Sequence, residues 1–187
     1  MRQLALWKHI VAYVTLGLLC GWYQFILLVT PILGLFAWRG SYFCGSVLAI
    51  GVTLTFSPLS HKPWFPFTRL FIWKIWREYF EFDYEASVKL ETGKKYIFFE
   101  FPHGIFPMGQ FLSSSIVEDA FPDRMICGTA ANVVFMFPIM RQIMAWIGTH
   151  TASRKSIKSI FSKKYDAAII PGGIAEMYSV NDTTEGI

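Results

Sequence analysis

Acidic side chains are missing from the N-terminal part of the chain, since all 13 Asp and Glu residues lie at or after Glu78. Residues 1–56 contain Arg2, Lys8 and Arg39 as their only charged side chains, while the remainder has 14 basic and 13 acidic residues. The net charge of +4 therefore comes mostly from the N-terminal segment. No dense basic stripe accompanies a nucleic-acid-binding motif, so nucleic acid is excluded as an expected partner.

Cysteine is also scarce, and long linkers, repeats and low-complexity segments are missing. The three cysteines, Cys20, Cys44 and Cys127, do not have the spacing of metal ligands. Two of them lie in apolar stretches, and reduced thiols fit a domain that faces the cytosol. We therefore expect no metal site and no cofactor.

Long apolar runs are abundant: 53% of the residues are hydrophobic and the mean hydropathy is +0.40, which is typical of a membrane protein. Residues 10–29 contain no charge and are long enough for a transmembrane helix. A second apolar stretch, residues 32–56, is interrupted at Arg39 and Gly40, and its central span is 42–56. This stretch either spans the bilayer with a tilt or re-enters it, with Pro31, Gly34 and Gly40 at the bend.

Basic residues precede the first apolar run and follow the second, so the positive-inside tendency places both flanks in the cytosol. Residues 1–56 are thus predicted to form a transmembrane helical hairpin, and residues 57–187 a cytosolic domain. A cleaved signal peptide is the alternative. It is disfavoured because the run is too long, lacks a small-x-small cleavage site and is followed by a second apolar stretch.

The remainder of the chain alternates between helical and strand patterns. Helices are predicted over 68–80, 108–119, 133–147 with an interruption at Pro138, and 153–165 with Ser153 as its cap; strands are predicted over 95–101, 124–128 and 166–170. This alternation predicts a layered α/β domain of αβα type. Ligands of such domains bind at the carboxyl ends of the strands.

The first candidate motif, Phe101-Pro102-His103-Gly104, follows the strand predicted over 95–101. Pro102 restrains the chain and Gly104 permits close backbone approach, so that His103 is held at the strand exit. A neutral imidazole there can take the proton from a hydroxyl that attacks a thioester. The alternative is a structural histidine in a turn.

The second candidate motif, residues 171–176, follows the strand predicted over 166–170. Gly172 and Gly173 can direct backbone N–H groups at a phosphate or a developing oxyanion. Glu176 can orient the imidazole or stabilise its cation. The alternative is a plain glycine turn in which Glu176 begins a helix and interacts with its dipole.

A basic helix follows Ser153, and its first residue, Arg154, is a candidate for binding the phosphates of coenzyme A. A solvated helix face, or one attracted to anionic lipid, is the alternative.

Together these motifs resemble the type 2 diacylglycerol acyltransferase family, which includes monoacylglycerol and wax-alcohol acyltransferases. The resemblance covers essentially the whole chain and rests on five blocks of sequence: Trp76-Arg77-Glu78-Tyr79-Phe80, Tyr96-Ile97-Phe98, Pro102-His103-Gly104, Gly148 followed by Ser153-Arg154, and Pro171-Gly172-Gly173 with Glu176.

The resemblance implies transfer of a fatty acyl group from acyl-CoA, as co-substrate, to the hydroxyl of diacylglycerol. The product would be triacylglycerol, made at the endoplasmic reticulum membrane and at lipid droplets. It identifies His103 as the catalytic histidine and Glu176 as the glutamate of the Pro-Gly-Gly block. The alternative acceptors are monoacylglycerol and a fatty alcohol. The oligomeric state is not indicated.

Two positions depart from the family pattern. Phe101 stands where animal members have a second histidine, which removes one polar group from the site. Family members also continue well beyond the glutamate, whereas residues 181–187 form a polar tail, so the acyltransferase-like domain is expected to be incomplete. A sequence fragment, a short isoform and an inactive relative that acts as a membrane-anchored interaction or regulatory form are the three explanations.

Overall fold

The computed structural model describes residues 4–85, 89–101 and 106–171. Its N-terminal part contains three apolar helices, α1 (Leu6–Cys20), α2 (Trp22–Trp38) and α3 (Tyr42–Phe56). The transmembrane helix predicted over 10–29 is not continuous, because the chain bends by 65° between α1 and α2. Gly21 lies at the bend, where a Cβ atom would be 2.7 Å from the Gly17 carbonyl oxygen. The missing side chain therefore permits the break.

No single helix in the described part of the chain is both long and apolar enough to cross a membrane. The bent pair of α1 and α2 meets the length and composition requirements when taken together. Helix α3 matches the predicted bounds of the second span but is shorter than a full crossing.

The hairpin in this structure is formed by α2 and α3, which pack against each other. Gly40 makes the turn with φ of +94°, and the Ser41 hydroxyl accepts a hydrogen bond from the Cys44 N–H. The predicted bend at Pro31 and Gly34 is wrong, since both residues lie inside α2. A positive φ is accessible to glycine at little cost, so Gly40 alone is sufficient for the reversal.

Helix α1 is not the partner of α3; it packs against α5 (Phe71–Tyr79). Lys8 pairs with Glu78, and the Trp76 indole N–H donates to the Thr15 hydroxyl over 2.9 Å. Lys8 and Thr15 are two helical turns apart and therefore lie on the same face of α1. The main hydrophobic core forms around this contact, with Ala12, Leu19, Trp73, Ile75, Trp76, Phe111, Leu112, Met140 and Ile147 buried.

A small parallel sheet forms the centre of the remaining chain. Its strands are β1 (Ile97–Phe99), β2 (Ile126–Ala130), β3 (His150–Thr151) and β4 (Asp166–Ile169), in the order β1-β4-β2-β3. Phe99 is in register with Ile169, and Thr129 is in register with His150. The three predicted strands are confirmed, while the two-residue β3 was not predicted.

The remaining helices connect and cover these strands. They are α4 (Phe65–Thr68), α6 (Met108–Ser113), α7 (Val117–Ala120), a 3₁₀ helix (Asn132–Met136), α8 (Met140–Trp146) and α9 (Arg154–Ser162). The predicted interruption at Pro138 is confirmed, whereas the helix predicted over 108–119 is two short helices. Ser153 caps α9 by accepting from the Ser156 N–H over 3.1 Å, as predicted. Ile160 of α9 packs against Cys127 and Ala167 of the sheet.

Candidate functional site

The two candidate motifs begin at neighbouring strand ends. β1 and β4 are adjacent and parallel, and the Glu100 N–H donates to the Ile169 carbonyl over 3.0 Å just beyond the paired residues. Phe101 begins the first motif and Pro171 begins the second. Adjacent strands are about 4.8 Å apart. The chain therefore leaves the sheet at two neighbouring points on its carboxyl edge, where ligands of parallel sheets bind.

Most of the predicted site residues lie outside the described part of the chain. These are Pro102, His103, Gly104, Gly172, Gly173 and Glu176. Their roles stay predictions, as does the expectation that the site needs no metal or cofactor. What the structure does show is that β1 and β4, the strands that precede the two motifs, are neighbours in the sheet.

Arg154 is the one predicted site residue that the structure describes. It is the exposed first residue of α9, which begins directly after β3. Since β2 lies between β4 and β3, this helix begins about 10 Å along the sheet from the end of β4. The Arg154 side chain thus belongs to the same sheet edge, and its role in binding phosphate stays a prediction.

A hydroxyl cluster fixes the backbone beside Arg154. The Ser156 hydroxyl lies 2.7 Å from the Thr151 hydroxyl and accepts a hydrogen bond from the Ser153 hydroxyl over 2.9 Å. Because the Ser153 hydroxyl also caps the helix, the end of β3 and the beginning of α9 are tied together. The helix start is therefore firmly positioned at the carboxyl edge.

Glu100 is a candidate site residue that sequence reasoning missed. It directly follows β1, three residues before His103. Its carboxyl oxygen Oε1 lies 3.1 Å from the Ser113 hydroxyl of α6. Burial raises the pKa of this carboxyl, and the Ser113 hydrogen bond opposes the rise. The signal was the period of two along β1, because Glu100 shares its side of the strand with the half-buried Phe98.

A carboxyl group with a raised pKa at a strand end is typical of acid–base sites. Glu100 can hold a proton, or accept a hydrogen bond from an imidazole, at a position next to the Pro-His-Gly motif. Glu100 is therefore added as a candidate carboxyl group to the predicted pair of Glu176 and His103.

The segment from Pro138 to Gln142 attaches the hairpin to the rest of the chain, and we call it the joint. Gln142 Nε2 donates to the Leu54 carbonyl over 2.7 Å, and the Arg141 guanidinium donates to the same carbonyl and to the Ser57 carbonyl. Cationic and amide donors at the end of α3 satisfy carbonyls that have no partner within the helix.

Helix α2 reaches the same segment. The Trp22 indole N–H donates to the Pro138 carbonyl over 2.8 Å, and the Tyr23 ring lies edge-on to Phe137 at 4.9 Å between centroids. Both helices of the hairpin are therefore held next to α8. This fixes the hairpin relative to the part of the chain that carries the sheet.

Comparison with known proteins agrees with the resemblance in the motifs. The family model described as diacylglycerol acyltransferase matches residues 58–187. This region begins just after α3 and contains all four strands together with both motifs.

Similar curated proteins act in the same area of lipid chemistry. Mouse 2-acylglycerol O-acyltransferase 1 is 29% identical over 120 residues, covering 60% of this chain and 36% of the relative. Human diacylglycerol O-acyltransferase 2 is 32% identical over 116 residues, covering 58% and 30% respectively. Diacylglycerol O-acyltransferase 2A of Umbelopsis ramanniana is 30% identical over 111 residues, covering 56% and 31%.

The matched region spans about a third of the length of these relatives. No solved structure matches the chain. The family model covers more than half of the chain and includes every block from Trp76 to Glu176 in which the resemblance was seen. The chain belongs to the diacylglycerol acyltransferase family.

Proposed function

We propose that this chain is an acyl-CoA-dependent O-acyltransferase that esterifies the free hydroxyl of diacylglycerol to give triacylglycerol. The observation that carries the proposal is the adjacency of β1 and β4, from which the two motifs of this family continue at the same sheet edge. Membership of the diacylglycerol acyltransferase family supports the reaction class.

In the proposed reaction, the His103 imidazole takes the proton of the acceptor hydroxyl while the oxygen attacks the thioester carbonyl carbon. The tetrahedral intermediate then collapses with cleavage of the carbon–sulfur bond. The imidazolium returns its proton to the leaving sulfur. One acyl-CoA and one alcohol thus give one ester and one free coenzyme A thiol.

The other candidate residues support this proton transfer in the proposal. Glu176 orients the imidazole and stabilises its cation, and Glu100 is a second carboxyl group able to do so. Backbone N–H groups of Gly172 and Gly173 stabilise the oxyanion, and Arg154 binds a phosphate of the acyl-CoA. Pro102 and Gly104 position the histidine and admit the substrate.

We also propose that residues 1–56 anchor the chain in the bilayer and that residues 57–187 form the N-terminal part of a layered αβα transferase domain. Large apolar side chains on α2 and α3 support the anchor, with Leu28 exposed by 68% and Phe43 by 75%. Exposed apolar surface on this scale is typical of a membrane contact. A cytosolic orientation at the endoplasmic reticulum or lipid droplets is part of the same proposal.

Monoacylglycerol is the second candidate acceptor. It is favoured by the mouse relative, whose name describes acylation of 2-acylglycerol and whose identity of 29% is close to the 32% of the human diacylglycerol enzyme. Among the family's acceptors, fatty alcohol is the third candidate.

The proposal is tested by expressing the chain in cells that lack neutral-lipid synthesis and assaying their membranes with labelled acyl-CoA. Diacylglycerol, monoacylglycerol and a fatty alcohol are supplied in separate reactions. We expect labelled triacylglycerol with the first acceptor, and its loss in His103→Ala. His9→Ala, a histidine of α1 that contacts the Tyr79 ring, is the matched control and should retain product.

A second arm supplies the sequence that the relatives have and this chain does not cover. In a chimera, residues 58–187 replace the matched region of the mouse relative, and the same histidine pair is compared. Ester formation that is unchanged by His103→Ala in an active protein contradicts the proposal. So does the absence of every labelled ester from both the chain and a chimera that accumulates in membranes.

A further inference from the structure

A cavity of about 640 Å³ lies beside the edge strand β3 and the amino end of β4, away from the carboxyl ends of β1 and β4. One wall is the segment that follows α3, and the other is formed by β3 and the connection between α9 and β4. The polar side chains in its walls are Ser60, His61, Lys62, His150, Lys163 and Tyr165. None of them belongs to the acyl-transfer site proposed above.

The wall formed by residues 58–62 is held in place by the turn before β3. The Trp64 N–H donates to the Trp146 carbonyl over 2.7 Å, and His61 Nδ1 lies 2.8 Å from the Thr149 carbonyl oxygen. Gly148 in this turn has φ of +80°, and a Cβ atom there would lie 2.5 Å from Cγ of Pro63. The glycine thus permits both the turn and the close approach, which gives the cavity fixed walls.

The charge in the cavity is of one sign. Two lysines and two histidines line it, and no carboxyl group does so among the residues that the structure describes. Asp166, next to Tyr165, is occupied elsewhere: it accepts from Arg124 over 2.8 Å and from the Tyr96 N–H over 2.8 Å. Neither lysine forms an ion pair within the described ranges. The electrostatic potential in the cavity is therefore positive.

The buried imidazole of His150 lines the same cavity as the two lysines. His150 is only 8% exposed, and its ring stacks on the ring of His61 with 4.8 Å between centroids. Burial, His61 and Lys163 together lower the pKa of His150 to about 4. The imidazole is consequently neutral at pH 7, and an anion beside it would offset the charges that oppose its protonation.

We propose that this basic cavity binds a phosphate group. Two ammonium groups, the His150 imidazole and two hydroxyls provide donors for the several acceptor oxygens of a phosphate, and the hydrogen bonds from the ammonium groups are of the strong, charge-assisted kind. The volume is that of a site for an organic molecule, so the phosphate is carried by a larger group.

Two sources of this phosphate are compatible with the position of the cavity. Pro58 lines the cavity only two residues after the end of the apolar α3, where a phospholipid headgroup would lie if the hairpin enters a bilayer. Acyl-CoA is the other source, and in that case the inference rests on the proposed function. Binding is measured without turnover, so a failure of acyl transfer and a failure of phosphate binding are distinguishable.

The test compares two double variants of the purified chain. Lys62→Gln with Lys163→Gln removes both lysines of the cavity, and Lys155→Gln with Lys158→Gln removes the same charge from exposed positions on α9 that do not line it. The probes are coenzyme A and pantetheine in neutral detergent, and phosphatidylcholine vesicles with and without phosphatidic acid. Far-UV circular dichroism checks that each variant retains its helical content.

We expect the cavity variant to weaken binding of coenzyme A, or of the phosphatidic acid vesicles, by about tenfold or more relative to the control variant. A loss confined to coenzyme A identifies the phosphate of coenzyme A, and a loss confined to phosphatidic acid identifies the lipid headgroup. Equal losses in both double variants, no loss with either probe, or an equal loss with pantetheine, which has no phosphate, overturns the proposal.

A measurement on the unmodified chain covers the case in which the cavity variant does not fold. The phosphate should raise the pKa of His150 from about 4, because it offsets the effects of His61 and Lys163. The pKa is followed by NMR of ¹³C-labelled histidine with and without the two phosphate probes. A His150 pKa that does not change with either probe at saturation overturns the proposal.

Discussion

Glu100 lies in the sequence between the end of β1 and the Pro-His-Gly motif. Burial raises its pKa, so the folded state disfavours the ionised form. For a carboxyl whose pKa is raised on folding, the folded state binds more protons than the unfolded state above pH 4.5 or so, and stability falls as pH rises through the folded pKa. A buried acid that is unfavourable for stability near neutral pH is typical of a functional position.

Glu100→Gln is therefore expected to raise the thermal midpoint at pH 7, with the gain disappearing below about pH 4.5, where the unfolded carboxyl is also protonated. Thermal unfolding followed by circular dichroism in neutral detergent measures this. Glu85→Gln, at an exposed position, is the control and should change the midpoint little at either pH. A midpoint lowered at pH 7 would contradict the account of Glu100.

His150 gives a dependence of stability on pH with the opposite sign. Its pKa is lowered on folding to about 4, so the unfolded state binds more protons between about pH 4 and 6.5. Stability should therefore fall as pH decreases through this window, by an amount on the order of 2 kcal/mol.

The pH dependence of the denaturation midpoint tests the His150 prediction. His150→Asn should flatten the decrease between pH 6.5 and 4, whereas His9→Asn in α1 should leave it in place. An equally steep decrease in both variants would show that other groups are responsible.

For single residues, the sequence suggests candidate side chains but not the tertiary contacts that they make. The motifs predict His103 and Glu176 through their distinctive residue order, and both stay predictions, while Glu100 looked like an ordinary polar residue after a strand. The period of two along β1 shows on which side of the strand Glu100 lies, but its contact with the Ser113 hydroxyl is a tertiary contact that no local pattern encodes.

At the scale of secondary-structure elements, the joint contains a strained turn. Ile139 has φ of +66° and ψ of −55°, and the Met140 N–H donates to the Pro138 carbonyl over 2.8 Å, which together form a γ-turn with positive φ. This backbone conformation is unfavourable for a β-branched residue. The same Pro138 carbonyl accepts from Trp22, so the strain lies where α2 contacts the joint.

Ile139→Gly is expected to increase the free energy of unfolding by about 1 kcal/mol, because glycine adopts a positive φ without steric strain. Ile139→Ala is the matched comparison, since it shortens the side chain while keeping a Cβ atom. Equilibrium unfolding in denaturant measures both variants. A glycine variant no more stable than the alanine variant would contradict the assignment of strain to this turn.

Arg141 is expected to hold the C-terminal turn of α3. Arg141→Ala leaves the Ser57 carbonyl without its guanidinium donor and removes one of three side-chain donors to the Leu54 carbonyl, so that α3 should fray at this end by about 1–3 kcal/mol. Hydrogen exchange of amides in residues 53–57 reports the change. Arg39→Ala, in the turn between α2 and α3, is the control, and equal protection in both variants would contradict the role of Arg141.

Helices and strands were predictable where the hydrophobic periodicity is strong and where a single residue, such as a cap or a proline, sets the end of a helix. The pattern of α9 and its Ser153 cap, the interruption at Pro138 and the three longer strands follow from local sequence. The break at Gly21 and the contact of α1 with α5 were missed, because twenty uncharged residues have the composition of a transmembrane helix whether or not the helix is broken. β3 has only two residues and exists through its pairing with β2.

At the scale of the whole molecule, three regions have different structural features. The α2–α3 hairpin provides exposed apolar surface without a single acidic residue, the joint fixes it to α8, and the sheet brings the strands before both motifs to one edge. The family could be predicted from the order of the motifs along the chain. The docking of the hairpin could not, because it depends on side-chain donors from α8 that are distant in sequence.

We propose that His103 and Glu176 act as one acid–base unit, and a double-mutant cycle tests this proposal most directly. The rate of coenzyme A thiol release with diacylglycerol is measured for His103→Ala, Glu176→Gln and the double variant, in whichever active form the assay above identifies. We expect His103→Ala to lower the rate by about 10²–10⁴-fold and the double variant to lose little more, because residues that act as a unit are not additive. Turnover retained in His103→Ala, or losses that multiply in the double variant, would contradict the account.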